Sequence, residues 1–114
     1  MKKQFWERAF AGLTDYIDKG SDTCREQAFF MRAYASLMRD QSDTENLIQA
    51  ADFFNDALAA FPESKLTPFA LSFLGKINMK LKNPALAQGY FSMTQDRFPD
   101  YPGMAEVFYF LGKI

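Results

Sequence analysis

The chain has 114 residues, a formal net charge of −1 and one cysteine, so a single modest core is within reach and an internal disulfide is excluded. Its charge balance, with Lys and Arg spread along the chain, argues against a general nucleic-acid binder, which needs a basic excess to displace counterions. A hydrophobic content of 48%, with thirteen Phe, excludes a disordered chain.

The opening MKKQFWERAF begins like a leader, but Glu7 and Arg8 interrupt any apolar stretch. The sequence therefore predicts either a cytoplasmic protein or an envelope or periplasmic one whose leader was removed. No run of about 18 apolar residues occurs, so no membrane-spanning segment is expected. The first element is a helix near 3–18, with Trp6, Phe10, Leu13 and Ile17 on one face. Lys19-Gly20-Ser21-Asp22 breaks it, and a second helix runs near 22–40, with Cys24 read as a small buried group. Asp40-Gln41-Ser42-Asp43 is the next joint, where Ser42 and Glu45 have the spacing of a capping box. Phe53, Phe54, Ala57, Leu58 and Phe61 stripe a third helix near 44–61, which Pro62 stops. Leu71, Leu74, Ile77 and Leu81 stripe a fourth near 66–81. Asn83-Pro84 places a capping amide before a first-turn proline and opens a fifth near 84–98, which Pro99 stops. A sixth runs near 102–113. The fold class is all-α, and the short joints require antiparallel neighbours.

The pentapeptide FLGKI occurs at residues 73–77 and again at 110–114, a shift of 37. The same shift lays Phe61-Pro62 on Phe98-Pro99, Phe54 on Phe91, Ala50 on Ala87, Leu37 on Leu74 and Ala33 on Ala70. A fixed period in this range marks stacked helical repeats. Leu74-Gly75, Ala87, Phe91 and Pro99 stand at the spacing of the tetratricopeptide repeat, and Leu37-Met38, Ala50, Phe54 and Pro62 stand at the same intervals one unit earlier. The chain thus resembles that family, with repeat units at about 31–64 and 68–101 and a half unit at 105–114 opened by Leu111-Gly112. Met38 replaces a glycine, and Gln41 and Asn78 replace a tyrosine. The joints FPES and FPDY, with extra residues in Glu63–Thr67 and Asp100–Gly103, resemble the subtype found in bacterial cell-envelope proteins such as the outer-membrane assembly lipoprotein and the Tol–Pal periplasmic repeat protein.

The resemblance implies one domain over 1–114, built as a short right-handed superhelix of about six helices. Because FLGKI belongs to the first helix of a pair, the sequence reads as a fragment of a longer protein whose last helix leaves Phe108 and Leu111 uncovered. It implies a packing role for Leu37, Ala50, Phe54, Pro62, Leu74, Gly75, Ala87, Phe91, Pro99, Leu111 and Gly112, with Gly75 and Gly112 admitting a neighbouring helix. It also implies a concave groove lined by Arg32, Ala35 and Arg39, then Phe69, Ser72, Lys76, Met79 and Lys80, then Glu106, Tyr109 and Lys113. Arg39, Lys76 and Lys113 recur at the repeat spacing, which predicts a cationic row for an acidic peptide or a C-terminal carboxylate.

The sequence has no histidine, and with one cysteine the usual zinc site is excluded. Glycines are scattered rather than gathered in a phosphate loop. Carboxylates such as Glu45 and Asp52, or Asp96 and Asp100, read as solvated surface. The expectation is a protein without catalytic activity, cofactor or metal, acting as an interaction scaffold for a protein or peptide partner. The alternatives are self-association as a homodimer through the last helix, or a regulatory part of a larger enzyme.

Overall fold

A computed structural model describes residues 2–19 and 25–113. Cys24 and Ile114 lie outside the described residues. Among the described residues there are six α-helices and no strand: α1 (Lys2–Lys19), α2 (Arg25–Arg39), α3 (Thr44–Ala60), α4 (Thr67–Lys80), α5 (Pro84–Arg97) and α6 (Met104–Lys113). The all-α fold read from the apolar spacing is the fold observed, and each boundary falls within a turn of the expected one. The chain divides between Ser64 and Lys65 into two compact units.

In the first unit α1 packs on α2 and α2 on α3. Ile17, Phe30, Ala33, Leu37, Leu47, Ala50, Phe54 and Ala57 are buried. Aromatic edges close the borders, with Trp6 against Tyr34 at 5.4 Å and Phe10 against Phe53 at 5.3 Å between centroids. The joint between α2 and α3 depends on one amide. The Asn46 Nδ2 group donates to the Ser36 and Asp40 carbonyls, at 2.8 Å each, so the open C-terminal carbonyls of α2 are met by a side chain from α3.

This arrangement overturns the capping box expected at Ser42 and Glu45. The N-cap of α3 is Asp43, one residue later, and it makes no side-chain cap bond. The Ser42 hydroxyl instead donates to Asp40 Oδ1 at 2.8 Å, as does its own backbone N–H at 3.1 Å, because that carboxylate lies two residues away in the same turn. Asn83 is the N-cap of α5, and Pro84 opens the helix as expected, but the Asn83 amide makes no cap bond.

In the second unit α4 packs on α5 and α5 on α6. The turn out of α4 puts Lys82 at φ 65, the one non-glycine residue with positive φ among those described. Lys82 N–H donates to the Met79 carbonyl and Asn83 N–H to the Asn78 carbonyl, at 3.2 and 2.9 Å, the paired bonds of a Schellman ending. The core gathers Ala87, Phe91, Met104 and Val107, with Met79, Tyr101, Phe110 and Leu111 packed against it. Phe91 is its centre. A Cβ built on Gly75 would meet the Phe91 ring at 2.6 Å, and the same ring stacks on Phe110 at 5.4 Å and 3° between planes. Gly75 therefore does what the sequence assigned to it. Gly112 does not: it is exposed, and a Cβ there would meet nothing within 4 Å, because no described element lies against that face of α6.

The 37-residue period is also a period of the backbone. Phe61 ends α3 at φ −134, ψ 68, and Phe98 ends α5 at φ −135, ψ 61. Their N–H groups donate to the carbonyls of Ala57 and Thr94, and the following turns repeat as Ser64 N–H to Phe61 and Tyr101 N–H to Phe98, both at 3.1 Å. The seam positions Ala50, Phe54 and Ala57 and their counterparts Ala87, Phe91 and Thr94 are all fully buried. Thr94 fits among these small residues because its hydroxyl donates to the Tyr90 carbonyl at 2.9 Å.

Three substitutions separate packing from propensity. Phe91→Ala is expected to lower the unfolding free energy by about 3–5 kcal/mol through the cavity it leaves. Gly75→Ala is expected to lose about 1–3 kcal/mol by overpacking, less the roughly 0.5–1 kcal/mol that alanine gains in a helix. Gly89→Ala, where a Cβ meets nothing within 4 Å, keeps only that gain and is expected to stabilise. Urea unfolding of the three variants checks the order.

Candidate functional site

In the first unit both candidate arginines are committed to aromatic rings. The Arg32 guanidinium lies 5.1 Å from the Phe29 centroid and 4.5 Å from that of Phe53. Its Nε is buried without a hydrogen-bond partner, and burial pushes its pKa down while Asp56 and Asp18 pull it back up. The Arg39 guanidinium sits 4.3 Å over Phe10, its Nε donates to Asn46 Oδ1 at 2.9 Å, and its Nη2 donates to Gln49. Ala35 is buried.

Arg39 also forms one wall of a cleft of about 500 Å³ whose other lining includes Glu7, Asp43, Glu45, Asp52 and Ile48. Carboxylates surround this arginine, so the surface around it is acidic. That corrects the expectation of an acidic ligand here: an anion approaching Arg39 meets like charge before it reaches the guanidinium.

In the second unit Lys76 pairs with Glu106 across α4 and α6 and lies 4.5 Å over the Phe73 ring. The sequence placed Lys76 and Glu106 in one groove but not in contact. With its charge matched by Glu106, Lys76 is no open anion site. Ser72 is buried and hydrogen-bonded to the Tyr101 side chain, so it is interior rather than lining. Met79 packs on the core, and Lys80 is exposed. On α6, Tyr109 is exposed and Lys113 lies 5.3 Å over its ring.

Of the nominated residues, Phe69 does line a cleft. It measures about 770 Å³ and lies between the start of α4 and the α5–α6 joint. Pro68, Pro99, Pro102, Phe98 and Tyr101 give it an apolar, rigid wall, and Lys65, Arg97 and Asp100 supply the charge. The Arg97 guanidinium lies 5.2 Å over Phe98. Sequence reasoning missed Lys65, Arg97 and Tyr101. The available signal is the aromatic and proline content of Phe98–Pro102, beside a lysine at 65 and an arginine at 97; the sequence uses these joints for repeat length and subtype alone. Tyr101 holds this wall in place: its ring also fills the space over Gly103, where a Cβ would meet it at 2.6 Å.

No group of three metal-ligating side chains occurs among the described residues, and no described helix is long and apolar enough to cross a membrane. No protein-family model, curated protein or solved structure matches the chain.

The Tyr101 phenol is held above its ordinary value of 10.0, first by burial and further by the charge of Glu106, while its hydrogen bond with Ser72 opposes both. The folded state thus retains a proton that the unfolded chain releases. The stability this contributes is complete below pH 10.0 and is lost as pH rises from there through the folded pKa. Urea unfolding between neutral pH and strong alkali is expected to show a decline above 10.0 that is shallower in Tyr101→Phe than in the wild type.

Proposed function

We propose that this protein is a non-catalytic interaction module of the tetratricopeptide kind, and that it holds an extended peptide in the cleft of its second unit. The repetition of buried seams and Phe-Pro joints at 37 residues supports the repeat reading. The observation that carries the binding role is the cleft itself, because it joins rigid apolar walls to cationic side chains. Phe69, Tyr101 and Pro68 offer a surface for proline or aromatic residues, and Lys65 and Arg97 favour a peptide with acidic groups. The proposal moves the anion preference from Arg39 and Lys76 to Lys65 and Arg97. An envelope-assembly setting, suggested by the FPES and FPDY joints, belongs to the same proposal.

A second reading, self-association, is favoured by the exposure of Phe108 and Tyr109, at 52% and 60%. Sedimentation over a range of concentrations, with Phe108→Asp beside the wild type, separates it: a dimer lost on substitution supports it, and a monomer throughout removes it.

The peptide reading is tested with a pool of proline-containing decapeptides bearing two acidic residues and a free C-terminal carboxylate. Saturable binding to the whole protein is expected, weakened about tenfold by Lys65→Glu with Arg97→Glu and again by Phe69→Ala. Equal binding to wild type and variants would overturn it.

A further inference from the structure

The outer side of α5 carries a shallow groove of about 290 Å³, lined by Ala85, Leu86, Gly89, Tyr90 and Met93. These residues stand at i, i+1, i+4, i+5 and i+8, which is one face of a helix. The residues that α5 buries, Ala87, Phe91 and Thr94, lie on another side. Leu86 and Met93 are 56% and 39% exposed. A Cβ on Gly89 would meet nothing within 4 Å. Glycine in an exposed helix interior costs stability relative to alanine, and no described neighbour within the chain requires it there.

The repeat does not impose this face. One period earlier, α3 holds Ile48, Gln49, Asp52, Phe53 and Asp56 in the same places. Carboxylates thus stand in α3 where α5 has Gly89 and Met93.

The charges at the ends of the groove identify what fits it. Lys82 comes seven residues before Gly89 and Asp96 seven after, and both are exposed. When two copies of α5 cross antiparallel at Gly89, residues equally far before and after it face each other. Lys82 of each copy then meets Asp96 of the other, so opposite charges pair at both ends. Leu86, three before, comes against Met93, four after. A parallel pair would instead set lysine on lysine and aspartate on aspartate. The groove is therefore complementary to itself under a two-fold axis, the condition for an isologous dimer. Glycine at the crossing lets the helix axes approach, since the side chains at the contact set their separation.

We propose that a second copy of this chain docks in this groove, forming an antiparallel α5–α5 dimer centred on Gly89. The proposal goes beyond the peptide reading and does not rest on it. The groove shares no lining residue with the cleft at Phe69, and it includes neither Phe108 nor Tyr109.

Sedimentation equilibrium of the whole protein at low salt, up to about 1 mM, is expected to show monomer and dimer in exchange. Lys82→Glu and Asp96→Lys, each alone, should weaken the dimer about tenfold by setting like charges face to face. Mixed in equal amounts, the two variants should pair with each other as tightly as the wild type with itself, because each supplies the charge that the other lacks. The double variant should dimerise like the wild type, and Phe108→Asp should leave the dimer intact. Both charged positions are exposed, so the melting temperature of each single variant should stay close to that of the wild type. A monomer at every concentration would overturn the proposal. So would a dimer indifferent to Lys82→Glu and Asp96→Lys, or single variants that pair no better mixed than alone. A dimer lost with Phe108→Asp would put the contact on α6 and overturn it as well.

Discussion

One contact governs the second unit: a phenyl ring lying where a methyl group would otherwise be. With hydrogen at Gly75, α4 lets Phe91 close to its backbone, and the same ring stacks on Phe110 of α6. A single side chain from the middle helix thus ties both flanking helices. Interior packing near crystal density leaves no slack for a larger residue at such a point. Ala87 and Thr94, small and fully buried, extend the same seam along α5.

The abundance of phenylalanine also decides where the charges go. Arg32 and Arg39 find rings in the first unit, and Lys76, Arg97 and Lys113 find them in the second. A guanidinium over a ring keeps part of its favourable electrostatics without leaving the protein surface. The cations on helix flanks become packing elements in this way, and the Lys76–Glu106 pair removes a further one from recognition. Lys65 and Arg97 both line the cleft at the unit's joints, Arg97 while still lying over Phe98.

How much of this was legible in sequence follows from the range of the forces involved. The helices and their limits were readable because apolar spacing, Pro62, Pro84 and Pro99 act over a few residues. Gly75 and Phe91 were readable because the repeat presents the seam twice. The failures share a different cause. Ser42 had two acceptors within reach, and spacing alone could not rank Asp40 above the box partner. Asn46 carries no apolar or capping signal of its own, yet it serves carbonyls at the end of the preceding helix. The Lys76–Glu106 pair and the Tyr101–Ser72 bond join residues 30 and 29 apart in sequence, set by how α4, α5 and α6 fold back on one another. Gly112 shared its motif with Gly75 but not its neighbour.

The two ends of the helical hairpins differ in their freedom to vary. The Phe-Pro ends, at Phe61 and Phe98, repeat to within a few degrees of backbone angle. The opposite ends do not: α3 has 17 residues and α5 has 14, and one turn is bridged by the Asn46 amide while the other uses left-handed Lys82. Insertions and deletions should accordingly accumulate at the hairpin tips and be rejected at the Phe-Pro corners. A lineage of such repeats would keep its pitch while its fingertips drift in length.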